Sequence, residues 1–438
     1  MKGTFKFSVL ALSLGLLSSC SKEPTDSNPT GPSDTVAPAA IANLAAGFKT
    51  GGTVALSWTA TGDDGTSGIA VEYDVRYSVA PITQANWDSA AQASAEPAPK
   101  LAGGAESFVV ENLLPNTAYN FAIRAKDEAG NFSPISNATS ATTDSALGFL
   151  DGPGTAWGVE VAGNRAYLAN GDSGLIIVDI SNSTAPVQLG LFDPALSPPG
   201  YAYGVTVRSD TAYLADGSSF RLRVVNISNP SAPTLIRSYR IFDQPLDVAI
   251  IGDYAYVVAG DSGLRIVNIS IAVDTITGIF DTPDFANGIA LAGNYAYVAD
   301  GTTGLVVVNV SNPAAPIFAG GFNTPVYAEG VAVSGNFAYV ADGSSGLIIL
   351  DISNPSAPVQ VGDLETSGWA TNVTVSGNFA FVSARAGGLQ IIDISNPASP
   401  KLVGVFNTPD EALDAAVVGN YAFVADRFAG LRLMRFTP

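Results

Sequence analysis

Carboxylates and aromatic rings recur at fixed places in this 438-residue chain, and they are the side chains with which it could do chemistry. Asp216, Asp300, Asp342 and Asp426 each close an apolar run ending in Ala and each open a turn. Tyr201, Phe285, Tyr327 and Trp369 recur at one position of a second set of loops, near Asp281, Asp284, Glu329, Glu365, Asp410 and Glu411. Rings supply rigid apolar area and carboxylates supply acceptors, so the set is a candidate binding surface for a protein, a glycan or a cationic group. The same residues also have a purely structural use: Asp in a tight turn bonds to nearby backbone, and a ring beside a loop fills a gap.

Catalysis has little to work with. The chain has no His and a single Cys, which excludes His-based triads, zinc sites of His and Cys, haem held by His, and disulfides. A carboxylate-dependent glycosidase or lyase would need two acids a set distance apart, and no pair stands out from the repeated background. The expectation is therefore a non-enzyme with no catalytic residue and no cofactor. Calcium takes oxygen ligands only, so a calcium-stabilised structural surface protein is a further alternative, with the metal left open. Asp63-Asp64-Gly65 lacks the alternating acids and closing Glu of an EF-hand and reads as a polar loop.

The elements that must hold these residues are short strands. A composition of 47% hydrophobic and 13% charged residues, with 45 Gly and 27 Pro, predicts an all-β protein rich in turns. A net charge of −19 argues against any nucleic-acid partner.

Residues 1–20 read as a signal peptide, with Lys2 and Lys6 ahead of an apolar run too short to span a bilayer. The run ends Leu17-Ser18-Ser19-Cys20, which resembles the lipobox of bacterial lipoproteins. That resemblance implies lipidation of Cys20, a membrane partner through it and, with Ser21 following, an outer membrane lipoprotein of the cell envelope exposed at the surface. Residues 21–40 are low in apolar side chains and predict a disordered tether.

Residues 41–144 alternate as strands do: Val54, Leu56 and Trp58 share one face, as do Tyr73, Val75 and Tyr77, and Tyr119, Phe121 and Ile123. With Trp58 as a core Trp, Leu113 ahead of Pro115, and Tyr119 at the place of a tyrosine corner, the segment resembles a fibronectin type III domain.

Residues 146–438 repeat. Ala-aromatic pairs at 166, 212, 255, 296, 338, 380 and 422 lie 41 to 46 residues apart, most followed by Gly-Leu and then Asp or Asn. These runs, with Ile-Ser-Asn-Pro turns at 352–355 and 394–397, resemble the LVIVD repeat of bacterial surface proteins. Four strands per unit predict a seven-bladed β-propeller; a parallel β-helix is the alternative. Ala146 to Asp151 matches a fourth strand and is expected to complete the last blade, closing the ring. The expected role is a lipid-anchored binding or adhesion scaffold. Its acidic, aromatic face would carry the second-to-third and fourth-to-first loops, point away from the membrane, and be held out by the sandwich as a spacer. The proline-rich loop from Asp193 to Tyr203, with Pro194, Pro198 and Pro199, is a further candidate for function.

Overall fold

Period-two alternation puts Val54, Leu56 and Trp58 on one side of a strand, and in the computed structural model all three are buried. The model describes residues 34–193 and 200–438; Cys20, the leader, most of the tether and Pro194, Pro198 and Pro199 lie outside them. Residues 36–438 form one compact unit. Among the described residues the one helix is a 3-10 turn, Trp87–Ser89, and no helix is long and apolar enough to cross a membrane.

The amino-terminal part is a sandwich. Strands Ala45–Thr50, Val54–Thr59 and Ala105–Val110 form one sheet, and Ala91–Gln92, Glu72–Ser78, Ala118–Lys126 and Thr139–Thr142 the other. Trp58 meets Tyr73 edge to face at 5.1 Å between them, and the Tyr119 hydroxyl accepts the Leu114 N–H at 3.1 Å. That bond fixes the corner where the Leu-Pro turn enters the strand. Asp63 and Asp64 sit in a tight polar turn, with the Asp64 N–H bonded to Asp63 Oδ1.

The rest consists of repeated antiparallel sheets, in which strands pair in chain order. In the fifth, Gly330–Ser334, Phe337–Ala341, Leu347–Asp351 and Val359–Leu364 are neighbours in that sequence. Counted the same way, units one to seven span 158–192, 202–240, 247–280, 286–322, 330–364, 372–406 and 414–437. The middle strands are buried on both faces because each sheet lies between two others. Along the second strand, Ala and the aromatic face opposite neighbours: Tyr297 of unit four packs with Ala338 of unit five, and Tyr339 of unit five with Ala380 of unit six. A large side chain against a small one lets adjacent sheets interdigitate. The same pairing joins Phe423 of unit seven to Ala166 of unit one.

Unit seven has three strands of its own, the last being Leu431–Thr437. Phe149–Leu150 pairs with its first half, Leu150 opposite Leu431. The second half pairs with the sandwich, Lys49 opposite Thr437 and Thr50 opposite Phe436, so a single sheet runs through both parts. The sandwich expected as a spacer is therefore also joined to the array by strand pairing. Phe48 of the sandwich is buried among units six and seven, 5.3 Å from Phe379 and 5.8 Å from Phe436, over Gly404, whose missing side chain leaves the space.

Candidate functional site

The first strands of all seven units converge on one cavity of about 390 Å³. Their leading residues at this place are Gly158, Gly204, Asp247, Gly288, Gly330, Asn372 and Asp414. Glycine fits because neighbouring strands are close: a Cβ on Gly288 would stand 2.8 Å from the Glu329 carbonyl and 3.1 Å from the Gly330 Cα. Trp157, Tyr203, Phe285, Tyr327, Glu329 and Arg385 line the walls. No sandwich residue does.

Three units depart from glycine, and their polar groups tie strand to strand. Asp247 accepts the Val248 N–H at 2.7 Å and, across the junction, the Ile289 N–H at 3.1 Å. Asp414 accepts the Ala415 N–H at 2.7 Å, the Val159 N–H of unit one at 2.8 Å and the Asn372 amide at 2.6 Å. Burial pushes the Asp247 carboxyl up to about 7, with the nearby Asp414 charge adding to the push, and pushes Asp414 up to about 6. Glu160, two residues into the first strand of unit one, is raised to about 7 by burial and then by repulsion from Asp414 and Asp247. Higher on the wall, Glu329 accepts the Trp369 indole N–H at 2.5 Å and faces the Arg385 guanidinium at 3.3 Å. Burial raises its carboxyl too, against those two partners.

The four turn carboxylates are not on a rim, which corrects the expectation that they form an exposed acidic surface: Asp216, Asp300, Asp342 and Asp426 are fully buried. Each accepts a backbone N–H from the loop entering its own unit: Tyr201, Asp284, Val326 and Asp410 respectively. Asp342 also takes the Thr324 hydroxyl at 2.6 Å, and Asp216 the Arg223 guanidinium. In units two, four and five the latch holds the loop that carries the ring. Tyr201, Phe285, Tyr327 and Trp369 each lie over a glycine in the preceding unit, at 171, 260, 301 and 343, whose φ values are +51°, +48°, +52° and +54°. Glycine is needed twice there, for the left-handed backbone and for the ring overhead. Acid and aromatic are thus parts of one device in three units, while unit six has Trp369 with Ala384 in place of the acid and unit seven has Asp426 with Glu411 in place of the ring.

Of the four recurring rings, Phe285 and Tyr327 reach the cavity. Tyr201 and Trp369 stand behind it, Tyr201 accepting the Trp157 indole N–H at 3.0 Å and Trp369 holding Glu329. Glu329 was visible in the sequence as a loop acid, but Trp157, Tyr203, Arg385, Asp247, Asn372 and Asp414 were not singled out. The signal for the last three is an aligned column that is otherwise glycine. No group of acids among the described residues is arranged to hold a metal ion.

Comparison with known proteins gives two families. The LVIVD repeat matches residues 153–193, 199–241, 245–271, 285–324, 326–366, 367–408 and 410–433, and the fibronectin type III domain matches residues 38–142. Chitinase A1 of Niallia circulans is 35% identical over 158 residues, 35% of this chain and 18% of that protein. Exoglucanase A of Cellulomonas fimi is 36% identical over 117 residues, 26% of this chain and 11% of that protein. The matched stretches thus span less than a fifth of either relative. Among solved structures, the computationally designed Ika8 protein aligns with a TM-score of 0.50 at 10% identity, over 72% of this chain and 90% of that one. A chain of the mitotic checkpoint complex aligns at 0.53 and 12% identity, over 62% and 86%. These two likenesses concern the fold alone.

Proposed function

The chain belongs to the LVIVD repeat family, and from that premise we propose that it is a lipid-anchored surface binding or adhesion scaffold whose ligand, a protein or a glycan, enters the cavity between the first strands. The observation that carries this is the cavity itself, where seven repeats bring rings, a guanidinium and buried acceptors to one place. The fibronectin type III domain, and partial matches to proteins named as a chitinase and an exoglucanase, favour extracellular recognition of polysaccharide.

In this reading the seven sheets close into a seven-bladed propeller, with Phe149–Leu150 as the fourth strand of the last blade. The common cavity, the shared core of units seven and one, and the bridge between Ala156 and Arg427 support closure. Lipidated Cys20 anchors the chain in the outer membrane, and the cavity, free of sandwich residues, faces away from it. The protein acts without catalysis: Asp247 and Asp414 each accept backbone N–H groups on both oxygens, one of them from the next unit, which gives them a place in the strand junctions. A carboxylate-dependent glycosidase or lyase is the second reading, favoured by the raised acids Asp247, Glu329 and Asp414 along the cavity wall.

The test combines location and binding. Cys20→Ser should move the protein from the membrane fraction to the soluble one, and the released protein should capture a glycan or an envelope protein without cleaving it. A Cys20→Ser protein that stays membrane-bound refutes the anchor, capture of nothing refutes the scaffold, and turnover of a captured glycan establishes the second reading.

A further inference from the structure

Arg385 occupies a place where five other units have glycine, at 171, 217, 260, 301 and 343, four of them left-handed. Its φ is +45°, beside +51°, +48°, +52° and +54° at Gly171, Gly260, Gly301 and Gly343. A side chain with a Cβ is disfavoured in that left-handed region, and such positions persist where something else requires the residue. Arg427, at φ +43°, is the other departure, but it pairs with Glu411 at 2.9 Å and does not line the cavity. Arg385 does line it.

The guanidinium there is only partly used. Its Nε is buried and has no hydrogen-bond partner, and its Nη2 meets Glu329 at 3.3 and 3.5 Å, long for a charged pair. Glu329 in turn spends Oε1 on Trp369 and has capacity left on Oε2. The Arg385 side chain as a whole is 41% exposed, so a partly engaged fork sits beside an acceptor with capacity left. Units one and two supply the apolar counterpart: Trp157 and Tyr203 lie 5.2 Å apart between ring centroids, tilted by 60°. Because the Trp157 N–H is already given to Tyr201, what remains for a ligand is ring surface.

We propose that the cavity binds the end of an uncharged polysaccharide chain, Arg385 and Glu329 taking neighbouring hydroxyls and Trp157 and Tyr203 taking the C–H face of the sugar. The inference rests on reading the cavity as a ligand site and names the class of ligand. A hydroxyl both donates and accepts, so adjacent hydroxyls match an adjacent donor and acceptor. An acidic sugar would meet Glu329, Asp247 and Asp414 against one guanidinium. A cationic one would meet the Arg385 guanidinium beside Glu329, the acid with an acceptor to spare, while Asp247 and Asp414 are already engaged by backbone N–H groups. Neutral hydroxyls avoid both penalties.

The experiment is titration of the purified full chain against neutral, acidic and amino oligosaccharides, with cellohexaose and chitohexaose among the neutral set, using wild type, Arg385→Gly, Arg385→Lys and Arg427→Gly. Neutral oligosaccharides should bind, and Arg385→Gly should weaken Kd at least tenfold while the melting temperature stays level or rises, because glycine suits the backbone there. Arg385→Lys should also weaken binding, since an ammonium lacks the fork. Arg427→Gly, which makes the same backbone change away from the cavity, should leave Kd unchanged. Neutral binding that survives both Arg385 substitutions, or binding confined to acidic or amino sugars, overturns the inference. Capture of a protein with no oligosaccharide bound overturns it too and leaves the scaffold reading standing, whereas capture of neither brings both down.

Discussion

Replacing Phe48 by Ala should destabilise the repeat array, although Phe48 belongs to the sandwich. The reasoning starts from a glycine in the fourth strand of most units. A side chain on Gly190, Gly278, Gly320 or Gly362 would collide with the Pro-containing turn of the next unit, at Pro230, Pro313, Pro355 and Pro397. That turn therefore seals each junction. Unit seven has no such turn after its third strand, because its fourth strand, Phe149–Leu150, comes from the other end of the array. At the junction of units six and seven the glycine is Gly404, and what fills the space is the Phe48 ring, stacked within 10° of parallel on Phe436. Phe48 is 6% exposed, so its removal leaves a cavity as in other buried Phe→Ala changes, which cost about 3–5 kcal/mol. Two ring contacts are lost with it, each worth about 0.5–1.5 kcal/mol beyond area, which favours the upper part of that range. Urea unfolding of the wild-type and Phe48→Ala proteins, followed by far-UV circular dichroism and by fluorescence of Trp157 and Trp369 with Trp58 and Trp87 changed to Phe, gives the difference. A loss below about 1 kcal/mol, the level of an ordinary surface substitution, would show that the sandwich is not part of the array's fold.

Stability should also rise as pH falls from 8 to 5. Asp247, Asp414 and Glu160 have native values of about 7, 6 and 7, above the ordinary carboxylate values they regain on unfolding, so the native state binds protons more tightly. Their contribution is fully present below about pH 4 and is lost as pH rises through 6 to 7. Between pH 8 and 5 those values admit about 2, 1 and 2 units, and at about 1.4 kcal/mol per unit a third of that gives a gain of ~2 kcal/mol, readable as a higher urea midpoint at pH 5 than at pH 8. A flat or falling midpoint over that interval contradicts the clustering of these acids. Asp342→Ala should cost about 1–3 kcal/mol, since it leaves the buried Thr324 hydroxyl and the Val326 N–H without their acceptor. An unchanged melting curve would return Asp342 to the list of residues free to serve a ligand.

Repetition is what made the fold legible. The Ala-aromatic pair, the Gly-Leu that follows it and the Asn-Pro turns sit at one period because each unit must offer its neighbours the same two faces, so one alignment fixes the second and third strands of every unit. Phe149–Leu150 could be found in the same way, as a fourth-strand sequence with no unit of its own. Phe48 could not. It lies in a strand whose alternation is fully explained by the sandwich, and nothing in its spacing shows that it faces another domain. The turn carboxylates failed differently. Their type and recurrence fit an exposed acidic surface as well as a buried latch, and only the Tyr201, Asp284, Val326 and Asp410 N–H groups that come to meet them decide between the two.

The same reasoning says where in a repeat array to look for function. A feature that recurs from unit to unit answers a need of the junctions, so the latch of units two, four, five and seven and the ring of units two, four, five and six explain themselves without a ligand. Function belongs to positions where one unit abandons what the others keep and the change does not repair a junction. Asp247 and Asp414 leave the glycine column but bond across to Ile289 and Val159, which gives them a structural use. Arg427 leaves the other glycine column and is answered by Glu411. Arg385 leaves it, keeps an Nε without a partner, and lines the cavity, a combination not met at those other three departures. Its pair with Glu329 joins units five and six, and on the proposal above what enters the cavity accounts for the rest of its identity.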